Sequence, residues 1–355
     1  MMGVVESLQK LAVQQGSPVE LILLGEGKFF EEAARQSGLK YKKIMAGKMR
    51  RYFSLKNLID IPKTLIGLIQ SLWHLFWLMP DAVFTKGGYA SAPPALAAKF
   101  FFIPLYVHES DAVPGMANRL IGRLAKKVFV SFEATRQHFP PDKTELTGNP
   151  IRTEVLNGDR NQAFQLFQLS DQLPTILVLG GSQGAQKINE LIVQSLLPLT
   201  AKFQIIHQTG ELNYAQVQKS VEQLTKEGGE QYAKQIKSRY RVYPFLDASN
   251  LPLAYVAADV VVSRSGANLL SEIAALGKPA ILIPLTKKAS RGEQITNAIE
   301  FSKYGGVVME EDNLVASVLI GQIENAYQNR AEIGQKIKGF ATPAAADKIA
   351  SLLLS

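Results

Sequence analysis

Two consecutive α/β domains, each a parallel sheet doubly wound with helices, are what this sequence predicts. Short apolar runs alternate with helix-patterned stretches along most of the chain, the pattern of parallel strands joined by crossover helices. The alternation restarts after Gly148–Asn149–Pro150, where a polar, helical stretch from Arg152 to Pro174 precedes a fresh apolar run. A length of 355 residues exceeds one typical domain and suits two.

Composition narrows the chemistry. Hydrophobic residues make up 46% and charged residues 20%, as in a soluble globular protein with ample core. There is no cysteine, which excludes disulfides, thiolate zinc sites and thiol nucleophiles. The four histidines (His74, His108, His138, His207) include no pair spaced for a metal, so no metal cofactor is expected. The net charge is +8, and nearly all of it is local. Lys40, Lys42, Lys43, Lys48, Arg50, Arg51, Lys56 and Lys63 face Asp60 alone within residues 40–63. A local basic patch implies a local anionic partner, such as a membrane surface, phosphates or nucleic acid; its bland alternative is a solvated face.

In chain order, residues 3–15 read as an amphipathic helix with Val4, Val5, Leu8, Leu11 and Ala12 on one face, ended by Gly16. The first strand follows at Val19–Leu24. A doubly wound domain opens instead with a strand, which lies in mid-sheet; without it, neighbouring strands lack ladder partners. The expectation is that the chain as read starts one strand late. No signal-peptide pattern is expected in its opening residues. Leu65–Met79 is apolar but short of the roughly 18–20 residues of a membrane span, and it contains Gln70 and His74. With Trp73, Phe76 and Trp77 beside the basic run, it reads either as a helix lying on an anionic bilayer or as a buried helix. Further strands are expected at Ala82–Thr85, Leu105–His108, Lys127–Ser131 and Thr144–Thr147. The second series is expected at 175–179, 203–207, 240–243, 259–263, 280–283 and 306–308, and a helix at Ala344–Leu354.

The turns after these strands hold the polar residues. Asp259–Pro284 is a β–α–β unit: a strand, a Ser-Gly turn at Ser265–Gly266, a helix carrying Glu272, then Gly277–Lys278–Pro279 and a second strand. Ligands of open α/β sheets bind at the carboxyl ends of strands, and a turn that opens a helix presents N–H groups to a phosphate. Glu272 is positioned to accept ribose hydroxyls; the alternative is a surface glutamate. Phe84–Ala98 holds a Gly-Gly turn and a helix entered through Ser91 and two prolines, a phosphate or sugar cradle or simply a tidy turn. His108, Glu109 and Asp111 cluster where a strand ends, which suits a general base facing a cleft. Arg152 follows a Gly-Asn-Pro turn, where it can pair with a diphosphate. Gly180, Gly181, Ser182, Gln183 and Gly184 close the first strand of the second series. Their spacing differs from G-x-G-x-x-G, so a nucleotide diphosphate is favoured over a dinucleotide. Gln294 and Asn297 lie at another strand-to-helix junction.

Taken in order, GGYASAP, HESDAVPG, TGNPIR, GGSQGA, SRSGA…SE and Q-x-x-N closely resemble the MurG family, from about Gly16 to the C-terminus. That family adds N-acetylglucosamine to the lipid-linked muramyl-pentapeptide precursor of peptidoglycan, a step of cell-wall synthesis and so of cell shape and division. The resemblance implies a GT-B fold, two Rossmann-like domains with a cleft between them. Residues 1–152 with 341–355 would form the acceptor- and membrane-facing domain, and 153–340 the UDP-sugar domain. It implies an inverting, metal-independent transfer from UDP-N-acetylglucosamine that converts lipid I to lipid II.

Carried onto this sequence, Ser182 and Arg152 would face the diphosphate and Leu246 the uracil. Ala267, Asn268, Leu269, Leu270, Ser271 and Glu272 would line the nucleotide pocket, with Glu272 on the ribose. Gln294 and Asn297 would face the sugar. Gly87, Gly88, Tyr89 and Ser91 would hold the acceptor pyrophosphate. The basic-aromatic segment 40–79 would rest on the cytoplasmic face of the membrane, peripherally, and no nucleic-acid partner is expected. Two features depart from the family. Its opening strand and Gly-rich loop, with a histidine proposed as base, are absent, and losing a general base costs roughly 100- to 10,000-fold. Asp111 stands where the HEQN motif has Asn, adding a negative charge at a donor contact. Of the residues present, His108 or Glu109 is then the base. Two alternatives remain: a truncated, catalytically impaired nucleotide-sugar-binding homologue, and another GT-B enzyme such as a UDP-sugar epimerase.

Overall fold

A computed structural model describes residues 1–47, 56–181, 184–287, 290 and 292–355. Ser182, and Lys48, Arg50 and Arg51 of the basic run, lie outside the described residues. Contacts divide the chain into two units, Met1–Pro150 with Ala344–Ser355, and Ile151–Pro343.

In the second unit, six strands form one parallel sheet: β7 Thr175–Leu179, β8 Gln204–Gln208, β9 Tyr240–Tyr243, β10 Val260–Ser263, β11 Ala280–Leu282 and β12 Val307–Val308. (The first six belong to the other unit.) Side chains alternate between the two faces of the sheet. Leu177, Leu179, Ile206, Val261 and Leu282 enter one core. Ile176, Val178, Ile205, Val260, Val262 and Ile281 enter the other. Apolar residues on both faces are what a sheet covered by helices on both sides requires. The strand order is β12-β11-β10-β7-β8-β9, which reverses direction between β7 and β10. Loops leaving the carboxyl ends of two such strands part in opposite directions and open a crevice.

The first unit holds β1 Ile22–Gly25, β2 Lys40–Lys43, β3 Val83–Thr85, β4 Leu105–Glu109, β5 Lys127–Val130 and β6 Thr144–Leu146. They form two parallel sheets, β1-β2 and β3-β4-β5-β6. Among the described residues no strand lies between β1 and β3, where the order of a doubly wound sheet places one. The start of the basic run is itself a strand, β2, paired with β1. Its sequence KYKK is mostly exposed, and edge lysines discourage further pairing. Helix Met2–Gln15 packs on helix Ala345–Leu354, with Val4, Leu8, Tyr106, Phe129, Ile349 and Ala350 in one cluster.

Helix Lys56–Leu78 divides sharply by face. Ser71 and Leu75 are buried, whereas Ile69, Trp73, Phe76 and Trp77 are exposed. The reading of this segment as a buried helix therefore holds for one face only. Among the described residues no helix is long and apolar enough to cross a membrane.

Candidate functional site

In the second unit the polar residues gather at the crevice between β7 and β10. The turn after β7 needs glycine: Gly184 has φ +77°, and a Cβ there would lie 2.5 Å from the Thr209 carbonyl oxygen. No side chain caps the helix Gln186–Gln194 that follows. Its first N–H groups have no partner within the helix. Gln208, at the end of β8, holds this turn in place. Its Nε2 donates to the Gly181 carbonyl at 3.3 Å, and its Oε1 accepts from the Leu246 N–H at 3.1 Å. Leu246 was expected on the uracil, but its side chain is core. Its N–H is taken by Gln208.

The turn after β10 is braced from below. Buried Arg264 donates to the Ile283 carbonyl and to Glu311, so its charge is spent on the scaffold. Ser265 Oγ donates to the Gln294 carbonyl at 2.7 Å, and Asn297 Nδ2 donates to the Ser265 carbonyl at 3.1 Å. Asn297, expected to face the sugar, is fully buried. Its amide braces the turn from the helix that follows. Gln294 is half-buried and accepts the Leu285 N–H at 3.1 Å.

Helix Ala267–Leu276 starts at Gly266 without a side-chain cap, which leaves its first turn suited to an anion. Of its residues expected to line the pocket, Ala267, Leu270 and Ser271 are buried, and Leu270 belongs to the core. Asn268 is exposed, and Leu269 and Glu272 are half-buried. Glu272 Oε2 accepts the hydroxyl of Tyr255 at 2.9 Å. Tyr255 is fully buried; burial first, then the Glu272 charge, pushes its pKa well above 10, and nearby Arg152 pulls the other way. The fold thus brings Arg152, Tyr255 and Glu272 together.

In the first unit the site residues line the carboxyl ends of β3 to β6. Gly87 and Gly88 both have φ +88°, and a Cβ on Gly87 would lie 2.4 Å from the Asn118 amide. Ser91 occupies the N-cap position of helix Ala92–Phe100 but caps nothing. Its hydroxyl donates to the Gly87 carbonyl at 2.6 Å and so braces the Gly-Gly turn. Tyr89 is exposed.

Glu109 has three donors on its carboxylate: the Asp111 N–H at 3.0 Å, the Gly115 N–H at 3.1 Å and Asn118 Nδ2 at 2.8 Å. Burial raises its pKa while these bonds lower it. His108 is fully buried and lies 3.0 Å by Nε2 from the Gly148 carbonyl, which assigns the proton to Nε2. Burial, with Lys86 nearby, holds its pKa well below 6.5, so the ring is neutral. Half-buried Asp111 donates its backbone N–H to Glu109, and its carbonyl accepts from Thr135. Among the described residues, no group of three or more His, Asp or Glu is arranged to hold a metal.

Sequence reading missed Gln208, Tyr255 and Asn118. Tyr255 had a signal: a lone hydroxyl in the apolar helix Asn250–Ala257 must find a partner once buried. Asn118 donates to Glu109 and to the His108 carbonyl, yet its Oδ1 is buried without a hydrogen-bond partner. Two acceptors around Nδ2 fix which end is oxygen. An orphaned acceptor costs about 1–3 kcal/mol, so a donor from a bound molecule would be welcome there.

Comparison with known proteins adds the following. Residues 3–130 match the glycosyltransferase family 28 N-terminal domain, and residues 175–352 the C-terminal domain of that family. The chain is 40% identical over 314 residues to a protein of Legionella pneumophila (strain Paris), covering 87% of this chain and 81% of that one. That relative is named UDP-N-acetylglucosamine--N-acetylmuramyl-(pentapeptide) pyrophosphoryl-undecaprenol N-acetylglucosamine transferase. A Treponema denticola protein of the same name is 41% identical over 285 residues, 79% of this chain and 71% of its own. The crystal structure of Acinetobacter baumannii MurG superposes with a TM-score of 0.71 at 25% identity, over 99% of this chain and 95% of that one. A Neisseria meningitidis UDP-GlcNAc 2-epimerase, at 15% identity and a TM-score of 0.69 over 99% and 95% of the two chains, shares the fold.

Proposed function

The chain belongs to the MurG branch of glycosyltransferase family 28, and on that premise we propose that it transfers N-acetylglucosamine from UDP-N-acetylglucosamine to undecaprenyl-pyrophosphoryl-N-acetylmuramyl-pentapeptide. One observation carries the donor reading. Two helix-opening turns flank the crossover between β7 and β10, and a glutamate held by a buried tyrosine stands beside them.

On this reading the uncapped helix starts and Arg152 take the diphosphate, and Glu272 takes the ribose hydroxyls. Gln294 and the main chain at Leu246 take the sugar and the base, and Ser182 the diphosphate. A general base takes the proton of the acceptor hydroxyl as its oxygen attacks the anomeric carbon from the face opposite UDP. The bond to the diphosphate oxygen breaks, and the configuration inverts. Negative charge grows on the departing diphosphate, where Arg152 and fixed N–H groups stabilise it without a metal. Gly87, Gly88, Tyr89 and Ser91 cradle the acceptor pyrophosphate, with Asp111 near the donor. For His108 and Glu109 the partners favour positioning: Glu109 ties the Asp111–Gly115 loop to Asn118, and His108 ties β4 to Gly148. A base must reach the proton it takes, and the buried His108 ring would have to be uncovered first.

The protein works peripherally at the cytoplasmic face of the membrane. Support comes from the exposed face of helix Lys56–Leu78, from the lysine strand β2, and from exposed Phe100 and Phe102 nearby. The rings of Phe76 and Phe101 lie 6.1 Å apart, which joins the two apolar surfaces.

The test is sugar transfer from UDP-N-acetylglucosamine to a lipid I analogue, together with donor binding. Glu272→Ala is expected to weaken donor binding about 10- to 100-fold, from about 1.5–3 kcal/mol of lost charged hydrogen bonds. Donor binding without any turnover would instead favour a binding protein over a transferase.

A further inference from the structure

The edge of the first unit's sheet opposite the acceptor cradle carries a second, basic site. Lys126 and Lys143 immediately precede β5 and β6, and Leu105 opens β4, so the three lie at the amino-terminal ends of adjacent strands. With Lys99, from the last turn of helix Ala92–Phe100, they line a cleft of about 320 Å³. Ile103 and Leu105 supply buried apolar lining, and no residue that lines the cleft is acidic. Neighbouring Lys127 is spent on Glu145 at 3.5 Å. Among the described residues, no carboxylate pairs with Lys99, Lys126 or Lys143. Lys126 lies instead over the Tyr106 ring, 5.5 Å from its centre.

Phe102 lines the same cleft and occupies a costly position. Helix Ala92–Phe100 closes with the Ile103 N–H on the Ala98 carbonyl at 2.8 Å, and Phe102 is the left-handed residue of that turn, with φ +59°. Glycine usually fills this position, because a Cβ crowds the following carbonyl there. Phe102 is 89% exposed, so packing within the chain does not offset the strain.

We propose that this cleft is a headgroup site for one anionic phospholipid: Lys99, Lys126 and Lys143 hold the lipid phosphate, and Phe102 enters the acyl layer beside it. The inference rests on the membrane reading and deepens it, from a diffuse basic and aromatic surface to a discrete site. Three ammonium groups meet one phosphate, against about half a negative charge at the carboxyl end of the helix. A lipid suits the cleft better than free phosphate because its surroundings are apolar. Exposed Phe100 meets Phe101 at 5.1 Å, and Phe101 meets Phe76 of the aromatic face at 6.1 Å. The groups assigned to the reaction lie at the other ends of these strands and are not engaged.

Calorimetric titration of the full chain with dihexanoyl-phosphatidylglycerol, kept below its micelle concentration, tests this. Saturation is expected at one lipid per chain. Lys99→Gln, Lys126→Gln and Lys143→Gln combined should weaken the lipid about 30- to 100-fold, several-fold per lysine. Lys40→Gln with Lys42→Gln, on β2, should leave it within about twofold. Phe102→Gly should weaken it about tenfold. Its melting temperature should stay unchanged or rise, since glycine relieves the backbone. Turnover with a water-soluble acceptor analogue should match the parent in every variant.

Equal loss in the β2 variant, or a triple variant that binds like the parent, would overturn the proposal. A lower melting temperature in Phe102→Gly would assign that ring to packing and overturn its role. Inorganic phosphate binding as tightly as the lipid would overturn the lipid as ligand. Attachment to equimolar phosphatidylglycerol–phosphatidylcholine vesicles without the one-to-one site would sink the proposal and leave the membrane reading standing. A parent that binds neither the lipid nor those vesicles would refute the membrane reading itself.

Discussion

Gly87 shows how closely single residues are constrained around the acceptor end. Its φ of +88° lies in the region that side chains avoid, and the Asn118 amide occupies the space a Cβ would take. Strain of this kind costs about 1–3 kcal/mol. Gly87→Ala should therefore lower the unfolding free energy by that amount and displace Asn118 from Glu109; an unchanged midpoint in urea would refute the constraint. Residues like these were unevenly legible. Gly87, Glu272 and Arg152 announced themselves because they sit in turns after apolar runs, where only function or backbone geometry explains them. Asn118 did not, and Tyr255 did so only as a hydroxyl in an apolar helix, because their partners lie nine and seventeen residues away, across elements. Asn297 was legible as a polar residue at a helix start, but its partner was not. A polar residue early in a helix looks solvent-facing in sequence, while here its amide satisfies a buried carbonyl.

Helix Lys56–Leu78 is the element whose two faces do different work. Leu75 and Ser71 pack inward, and Ser71 Oγ bonds the Gly67 carbonyl at 2.7 Å, so no hydroxyl is left unpaired. Trp73, Phe76 and Trp77 stack edge-on to one another at 5.5–5.7 Å and remain open to solvent. An edge-to-face aromatic surface of this kind is more than scattered exposure and suits an interaction face. On the membrane reading, Trp73→Ser with Trp77→Ser should cut co-sedimentation with anionic vesicles about tenfold or more. Turnover with a water-soluble acceptor analogue should be unchanged. Vesicle binding equal to the parent would remove this helix from the membrane face. The sequence already showed the apolar run and its basic neighbour. It could not show which side chains the fold would cover, since both readings use the same residues.

At the scale of the whole molecule, the strands were legible almost throughout, because a sheet covered on both faces writes itself as near-continuous apolar runs. The order β12-β11-β10-β7-β8-β9 is not written in any one run; it follows from the crossover connections. The lysine strand β2 escaped notice because KYKK has no apolar residue beyond Tyr41.

Acid sensitivity is a property of the whole fold. His207 is fully buried, and Nδ1 and Nε2 lie 2.8 and 3.0 Å from the Tyr240 hydroxyl and Asn189 Oδ1. Burial lowers its pKa from 6.5 to about 3. Its neutral form therefore stabilises the fold fully above pH 6.5. That contribution drains away as pH falls toward 3, because the unfolded chain takes up the proton first. His108 shifts in the same direction. Denaturation midpoints should fall between pH 6.5 and 4, and the slope should be shallower in His207→Asn; parallel slopes would refute this origin.

The split sheet of the first unit has a colloidal consequence. Among the described residues β1 pairs with β2 and β3 with β4, and neither has a strand partner on its other side. Unlike β2, with its guard of lysines, these inner edges carry Ile22, Leu23, Leu24, Val83 and Phe84, residues that favour pairing. Any extended apolar segment that reaches them finds a template.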